Sequence, residues 1–344
     1  MDIFEEYKIQ SFLQRNSLFK DSRNHPFTSL SEKEVSFVKK IKYLNGDMPE
    51  AYFNKVLSIK NQLNSFIGKM QPIFELGVKF NIYLAGGALR DLLLNNSTNI
   101  RDLDVIFDFS EYVDSNAKKL SEMSVYMLSK IFGELHLTQT QWDELDPKQK
   151  SFLLIFKVTQ QEYNIEKKYT LEELKNKSSL ENETYSHLLN KELEAVISIS
   201  HPSYEYPMDI LVINTNVDAY LDTFSFDICK VKLLLVNMSK PQIITNVYDF
   251  MKFIHTSKHF LKDAMEKTLT LKMYRYSNVG LIEKILTKHY NKIKQKYSDF
   301  KVNLDAGTSE DMKKYKEAYE SSQSLNNLLP NKKVNILVER GIKI

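Results

Sequence analysis

The sequence predicts an α+β fold: a small mixed sheet with helices, flanked by helical N- and C-terminal regions. Three observations lead there. Residues 1 to about 70 read mostly as helix, with apolar residues at helical spacing. Four short apolar segments in the middle, "NIYLAGG", "DLDVIF", "EAVISIS" and "YPMDILVI", read as strands. From "DTFSFDICKVKLLLVNM" onward the pattern is mainly helical again.

In the helical lead-in, residues 1–70, Ser31 and Glu34 make a Ser-x-x-Glu capping box ahead of Val35, Val38, Ile41 and Leu44. "EAYFNKVLSIKNQLNSFIGKMQPIFELG" continues the pattern, and Pro72 marks a break or kink. Residues 71–235 form the head. Here "NIYLAGG" is a strand ending in a tight turn, "ALRDLLL" opens a helix, and "DLDVIF" is a second strand. "SNAKKLSEMSVYMLSKIF" is a helix with Leu120, Met123, Met127 and Ile131 on its apolar side. "EAVISIS" and "YPMDILVI" follow, joined by "HPSYEY". Alternation followed by clustered strands fits an α/β or an α+β domain. Residues 139–191 are a Lys- and Glu-rich polar insertion, expected to be partly helical and partly mobile. Residues 236–344 make a mainly helical, basic C-terminal domain, with a helix opening at Ser309 and a short strand past Asn331.

With 344 residues and 42% hydrophobic content, the chain can build two or three domains with real cores. A net charge of +3 neither demands nor excludes nucleic acid. The single cysteine, Cys229, excludes a disulfide scaffold and a clustered-cysteine zinc site, and it fits a reducing compartment. "MDIFEEYKIQ" has neither a basic start nor an apolar core, and no apolar run approaches a membrane span. These features predict a soluble, cytoplasmic protein.

Chemistry concentrates in "YLAGGALRDLLLNNSTNIRDLDVIF". Glycines between a strand and a helix let backbone approach an anion, and the helix start presents free N–H groups. Arg90 follows in the first turn. The same Gly-Gly also serves as a plain turn. Asp102 and Asp104 are two apart on a strand, so they share a face opposite Leu103, Val105 and Phe107. Two like charges side by side call for a cation, and a hard divalent ion such as Mg²⁺ suits carboxylate oxygens. An isolated Asp-x-Asp is more often a pair of solvated edge-strand residues. Asp209, within the apolar strand "YPMDILVI", would complete a three-carboxylate cluster if its strand lies beside "DLDVIF".

The order strand, Gly-Gly, helix with Arg-Asp, strand with Asp-x-Asp, helix, strand with one Asp resembles the head domain of the nucleotidyltransferase superfamily, with its polymerase-beta-like fold. It looks most like bacterial-type tRNA nucleotidyltransferases (CCA-adding enzymes) and poly(A) polymerases. Their Gly-Gly-x-x-Arg-Asp-x-Leu-Leu followed by Asp-x-Asp is matched by Gly86-Gly87-Ala88-Leu89-Arg90-Asp91-Leu92-Leu93-Leu94 and Asp102-Leu103-Asp104. The resemblance implies transfer of NMP from an NTP to a hydroxyl, with release of pyrophosphate. The implied acceptor is an RNA 3′ end, tRNA or tRNA-like. It implies that Gly86 and Gly87 hold the triphosphate through backbone, that Arg90 contacts it by charge, and that Asp91 orients Arg90 or its helix. Asp102 and Asp104 would bind two Mg²⁺ ions, with Asp209 as the third carboxylate near the attacking group.

The sequence also departs from the family. "NNSTNIR" is longer than the usual loop and lacks its Gly-Arg. "YLDTFSFDICKV" is the nearest stretch to Arg-Arg-Asp-Phe-Thr-Ile-Asn-Ala: Asp222 and Phe224 stand near its Asp-Phe but two apart, and positions 220 and 221 are Tyr and Leu. A Glu-Asp-x-x-Arg base-reading motif is not found, so strict CCA addition is not implied. Two alternatives stand beside this reading: nucleotidylation of a protein side-chain hydroxyl, and a non-catalytic RNA- or nucleotide-binding module.

The segment 251–301 carries twelve Lys or Arg against Asp263, Glu266, Glu283 and Asp299, a net of +8 interleaved with tyrosines. This fits an RNA footprint and equally a solvated lysine face. His255 and His259, four apart, would share one helical face; no third ligand is nearby, so they are expected at the surface or facing RNA.

Overall fold

The computed structural model describes residues 30–76, 78–94, 100–111, 143, 145, 147–170, 193–213, 215–238, 240–241, 244–273, 282, 285–286 and 291–324. The helix expected at 115–132 and the strand expected past Asn331 lie outside these residues.

The capping box at Ser31 forms as its sequence dictates. The Ser31 side chain accepts from the Glu34 amide, the Glu34 carboxylate accepts from the Ser31 amide, and α1 runs Glu32–Ile41. Helix α2, Glu50–Lys69, buries Tyr52, Val56, Ile59, Leu63 and Phe66 along one stripe. It stops before Pro72, which sits in the first turn of the short α3, Gln71–Phe74.

The sheet then builds from β1 (Asn81–Ala85), β2 (Leu103–Asp108), β3 (Asn164–Thr170), β4 (Leu193–Ser200), β5 (Met208–Ile213), β6 (Val231–Asn237), β7 (Lys240–Pro241) and β8 (His255–Thr256). Its order is β3-β4-β5-β2-β1-β6-β7, with β8 also paired to β6. Only β2 and β5 run parallel; the other pairs in this sheet are antiparallel. Helices α4 (Gly87–Leu93), α5 (Pro147–Glu162), α6 (Val217–Asp222), α7 (Val247–Phe253) and α8 (Lys258–Glu266) connect or cover these strands. A parallel two-strand ribbon, β9 (Thr268–Lys272) with β10 (Lys301–Asp305), follows, together with α9 (Asn291–Lys296) and α10 (Glu310–Ser324). The fold is α+β.

Two expectations are corrected. "VKLLLVN" is a strand and not part of a helical region. Its period of two, with Val231, Leu233 and Leu235 buried between Lys232 and Leu234, decides the matter. The polar insertion is corrected in part: α5 is the partial helix expected there, while Asn164–Thr170 form the strand β3 and Leu153, Ile155 and Val158 join the main core. Among the described residues, no helix is long and apolar enough to cross a membrane.

The two faces of the sheet differ. One face packs Ile82, Leu84, Val105, Phe107, Ile197, Ile210 and Leu233 into the main core, where Phe66 of α2 meets Phe107 edge-on at 6.3 Å between centroids. Among the described residues, the other face carries a smaller apolar cluster, Ala85, Ile106, Val196 and Leu211, under Val217, Tyr220 and Leu221 of α6. That face holds the candidate site.

Candidate active site

Strand register assembles one row of residues across the face under α6. Ser198 stands opposite Asp209, Asp209 opposite Asp104, Asp104 opposite Ala85, Ala85 opposite Lys232, and Lys232 opposite His255. Residues paired directly across strands point to one side. Ile106, Leu211 and Val196 lie two positions along from Asp104, Asp209 and Ser198, and all three belong to the small cluster, which fixes the side as that of α6. Asp104 and Asp209 are therefore neighbours on adjacent parallel strands. Both are half-buried. The Ser198 hydroxyl donates to Asp209 Oδ1 at 2.5 Å and sets that carboxylate's orientation. Asp102, one residue before β2 and half-buried, lies on the side of Asp104 by the strand's alternation.

Gly86 shows why the turn needs glycine. Its φ is +75°, and a Cβ added there would stand 2.9 Å from Asp104 Oδ2 and 3.3 Å from Phe224 Cε2. The backbone at Gly86 thus lies directly against the Asp104 carboxylate. Gly87 begins α4, whose first turn has no side-chain cap.

Arg90 and Asp91 occupy a different setting. Arg90 is 5% and Asp91 1% exposed. Asp91 Oδ1 accepts from Arg90 Nε at 2.7 Å and from the Tyr297 hydroxyl at 2.6 Å, and its Oδ2 lies 2.6 Å from Lys296 Nζ. Arg90 also donates to Cys229 Sγ at 3.1 Å and lies over the Tyr297 ring. Burial works against the guanidinium charge, but Cys229, Asp91 and Tyr297 outweigh it and hold Arg90 above its ordinary pKa. The pair ties α4 to the C-terminal segment.

Helix α6 is anchored over the site at its first turn. Asp108 Oδ2 accepts the Val217 amide at 3.0 Å, and Asn216 caps the turn through the Asp218 amide. Burial pushes the Asp108 carboxyl up against the opposing bonds from Ser110 and Val217. This anchor delivers Tyr220, which is 1% exposed, to the small cluster. Burial raises the Tyr220 phenol well above its usual range, and the charges of Asp104 and Asp209 push in the same direction. Its ring meets Phe224 edge-on at 5.7 Å.

Three of these residues, Ser198, Tyr220 and Lys232, are not marked as site residues by the sequence motifs. Lys232 Nζ pairs with Asp218 at 2.6 Å and lies 5.4 Å from the centre of the Tyr83 ring. His255 and His259 do not share a helical face. His255 is half-buried in β8, while His259 is in α8, because Ser257 accepts from the Phe260 amide and starts a new helix between them. The basic segment is also partly spent internally. Lys272 pairs with Asp227, Lys296 with Asp91 and Lys267 with Asp299, while Lys258 and Lys262 of α8 remain exposed.

Among the described residues, no three His, Cys, Asp or Glu side chains converge into a ready metal cage. Mg²⁺ does not require one: it is commonly held by one or two carboxylates together with substrate phosphates and water. The paired, half-buried Asp104 and Asp209 supply such hard oxygen donors, so the residues present fit this ion.

No family model matches the sequence, and no curated protein does. Solved structures do. A CCA-adding enzyme of Thermotoga maritima complexed with tRNA is 15% identical at a TM-score of 0.39, covering 89% of this chain and 54% of that one. A CCA-adding enzyme with ATP is 12% identical at 0.35, covering 89% and 53%. A tRNA-processing enzyme in an apo form is 10% identical at 0.35, covering 83% and 47%. The chain spans about half the length of these structures.

Proposed function

We propose that this chain is a metal-dependent nucleotidyltransferase that moves NMP from an NTP to a hydroxyl acceptor. The observation that carries the reading is the contact of Gly86 backbone with Asp104, which stands in register with Asp209. That geometry puts a glycine turn, suited to close approach by a polyphosphate, against a carboxylate pair suited to a divalent cation.

In the reaction the acceptor oxygen bonds to the α-phosphorus while the bond to the bridging oxygen breaks. Pyrophosphate leaves with that electron pair, and the hydroxyl proton passes to a carboxylate of the row or to water. Asp102, Asp104 and Asp209 are the residues that would hold Mg²⁺, which when bound supplies charge neutralisation at the triphosphate and a more acidic acceptor hydroxyl. Gly86 and Gly87 offer backbone to the triphosphate. Ser198 keeps Asp209 oriented through its hydrogen bond. Arg90 acts from beneath the turn: its burial and its bonds to Asp91 and Cys229 stiffen α4 under the glycines. Lys232, two strands from Asp104 in the same row, is about 10 Å away by strand spacing, within the span of a triphosphate.

The acceptor we favour is an RNA 3′ end, supported by the exposed Lys258 and Lys262 on α8 and the basic excess around them. The test is incubation of the purified chain with Mg²⁺, each radiolabelled NTP in turn, and bulk tRNA. Label in RNA is expected. Label in the protein itself would move the acceptor to a side chain, and no label with NTP binding intact would reduce the chain to a binding module.

A further inference from the structure

Tyr220 carries a hydroxyl with no hydrogen-bond partner although the residue is 1% exposed. It is the sole such buried side-chain atom among the described residues. A buried hydroxyl left unsatisfied costs about 1–3 kcal/mol. Phenylalanine would fill the same space without that cost, since the ring already packs against Phe224 and within the cluster of Ala85, Ile106 and Leu211. Ile106 and Leu211, which share the cluster with Tyr220, lie two positions along their strands from Asp104 and Asp209 and on the same face, so the ring stands beside the carboxylate pair. Helix α6, anchored by Asp108 and Asn216, holds it there.

We propose that Tyr220 is a positioning residue whose hydroxyl hydrogen-bonds an oxygen of the hydration shell of a divalent cation held at Asp104 and Asp209. This rests on the reading of that pair as the cation site. The bound ion brings ordered water to the one buried group that lacks a partner, and the phenol in turn fixes that water. Outer-shell bonds of this kind typically change metal affinity by 10–100-fold.

The experiment titrates Mn²⁺ into the full chain without nucleotide, following free Mn²⁺ by electron paramagnetic resonance, for wild type, Y220F and D104N. Thermal unfolding of each metal-free protein is recorded alongside. Y220F is expected to bind Mn²⁺ roughly tenfold more weakly with an unfolding midpoint equal to or above wild type. D104N is expected to lose the site. Equal Mn²⁺ affinity in Y220F and wild type, with D104N defective, overturns the role of Tyr220 and leaves the carboxylate reading standing. A Y220F midpoint well below wild type also overturns it, because the hydroxyl would then have a structural partner. Undiminished binding in D104N, or no binding by wild type, overturns the cation site itself.

Discussion

Asp104 and Asp91 lie thirteen residues apart on successive elements, yet they represent opposite uses of a carboxylate. Asp91 is buried and surrounded by Arg90, Lys296 and Tyr297, each within 2.7 Å of one of its oxygens. Asp104 is half-buried beside a second carboxylate in register and against a glycine turn. Asp227 belongs with Asp91: it is 3% exposed, with Lys230 at 2.6 Å and Lys272 at 3.3 Å. Cations answer Asp91 and Asp227, Arg90 and Lys230 from nearby in the chain and Lys296 and Lys272 from far along it, whereas Asp104 and Asp209 stand side by side and only half-buried. Burial with matched cations marks an acid that holds the molecule together. Partial exposure beside a like charge marks one kept for chemistry.

The comparison breaks most directly at Asp104. Asp104→Asn keeps the shape and removes the charge, so transfer is expected to fall by roughly a thousandfold or more, about 4 kcal/mol of barrier. Its unfolding midpoint should stay near wild type or rise, because one of two neighbouring like charges is gone. Radiolabel transfer and a melting curve on the same preparation check both halves. Wild-type activity in this variant would falsify the site.

Asp91→Ala should show the reverse pattern. It leaves Arg90 and Lys296 without their buried counter-ion, and breaking such a pair costs about 3–5 kcal/mol of stability. Urea unfolding measures this. A variant as stable as wild type would mean that the buried knot is not structural, and the contrast with Asp104 would dissolve.

Gly86→Ala sharpens the boundary between the two settings. The new methyl must sit at positive φ and within contact of Asp104, so either the turn or the carboxylate moves. A shift on the order of 1 Å at a reacting centre costs about a hundredfold in rate, while the backbone strain costs about 1–2 kcal/mol in stability. The ratio of activity loss to stability loss should therefore fall between those of the two aspartate variants.

How far the sequence discloses this contrast depends on the distance over which each signal acts. Gly86, Asp102 and Asp104 are legible because a turn and a strand's alternation are local, and the Ser31 capping box is legible for the same reason. Ser198, Lys232 and Tyr220 are not, because only strand register and helix anchoring bring them to the row. The setting of Arg90 and Asp91 is hidden too: Lys296 and Tyr297 arrive from 205 and 206 residues beyond Asp91. "VKLLLVN" misleads because a short apolar run suits a buried strand or a helix equally, and the lysine that breaks it into a period of two is a single residue. His255 and His259 share a helical spacing, but Ser257 between them is an N-cap signal that outranks it.

His255 gives the smallest effect and the finest test, since it sits at the end of the same row yet is set by burial. Burial, then the charge of Lys232, lowers its pKa to about 4, with Lys42 acting the same way and Asp218 opposing. The unfolded chain therefore takes up a proton first as pH falls from the ordinary histidine value of 6.5. The stability linked to a neutral His255 is complete above 6.5 and is lost between there and about 4. Each pH unit separating the folded from the unfolded value is worth about 1.4 kcal/mol, and partial exposure screens it, so wild type should lose about 1–2 kcal/mol more than His255→Asn across that window. Urea unfolding of both proteins at about pH 7 and about pH 4.5 reads the difference directly. Parallel pH profiles would mean that His255 is solvated in the native protein, and the rule that burial decides the use of a charged group would stop short of this end of the sheet.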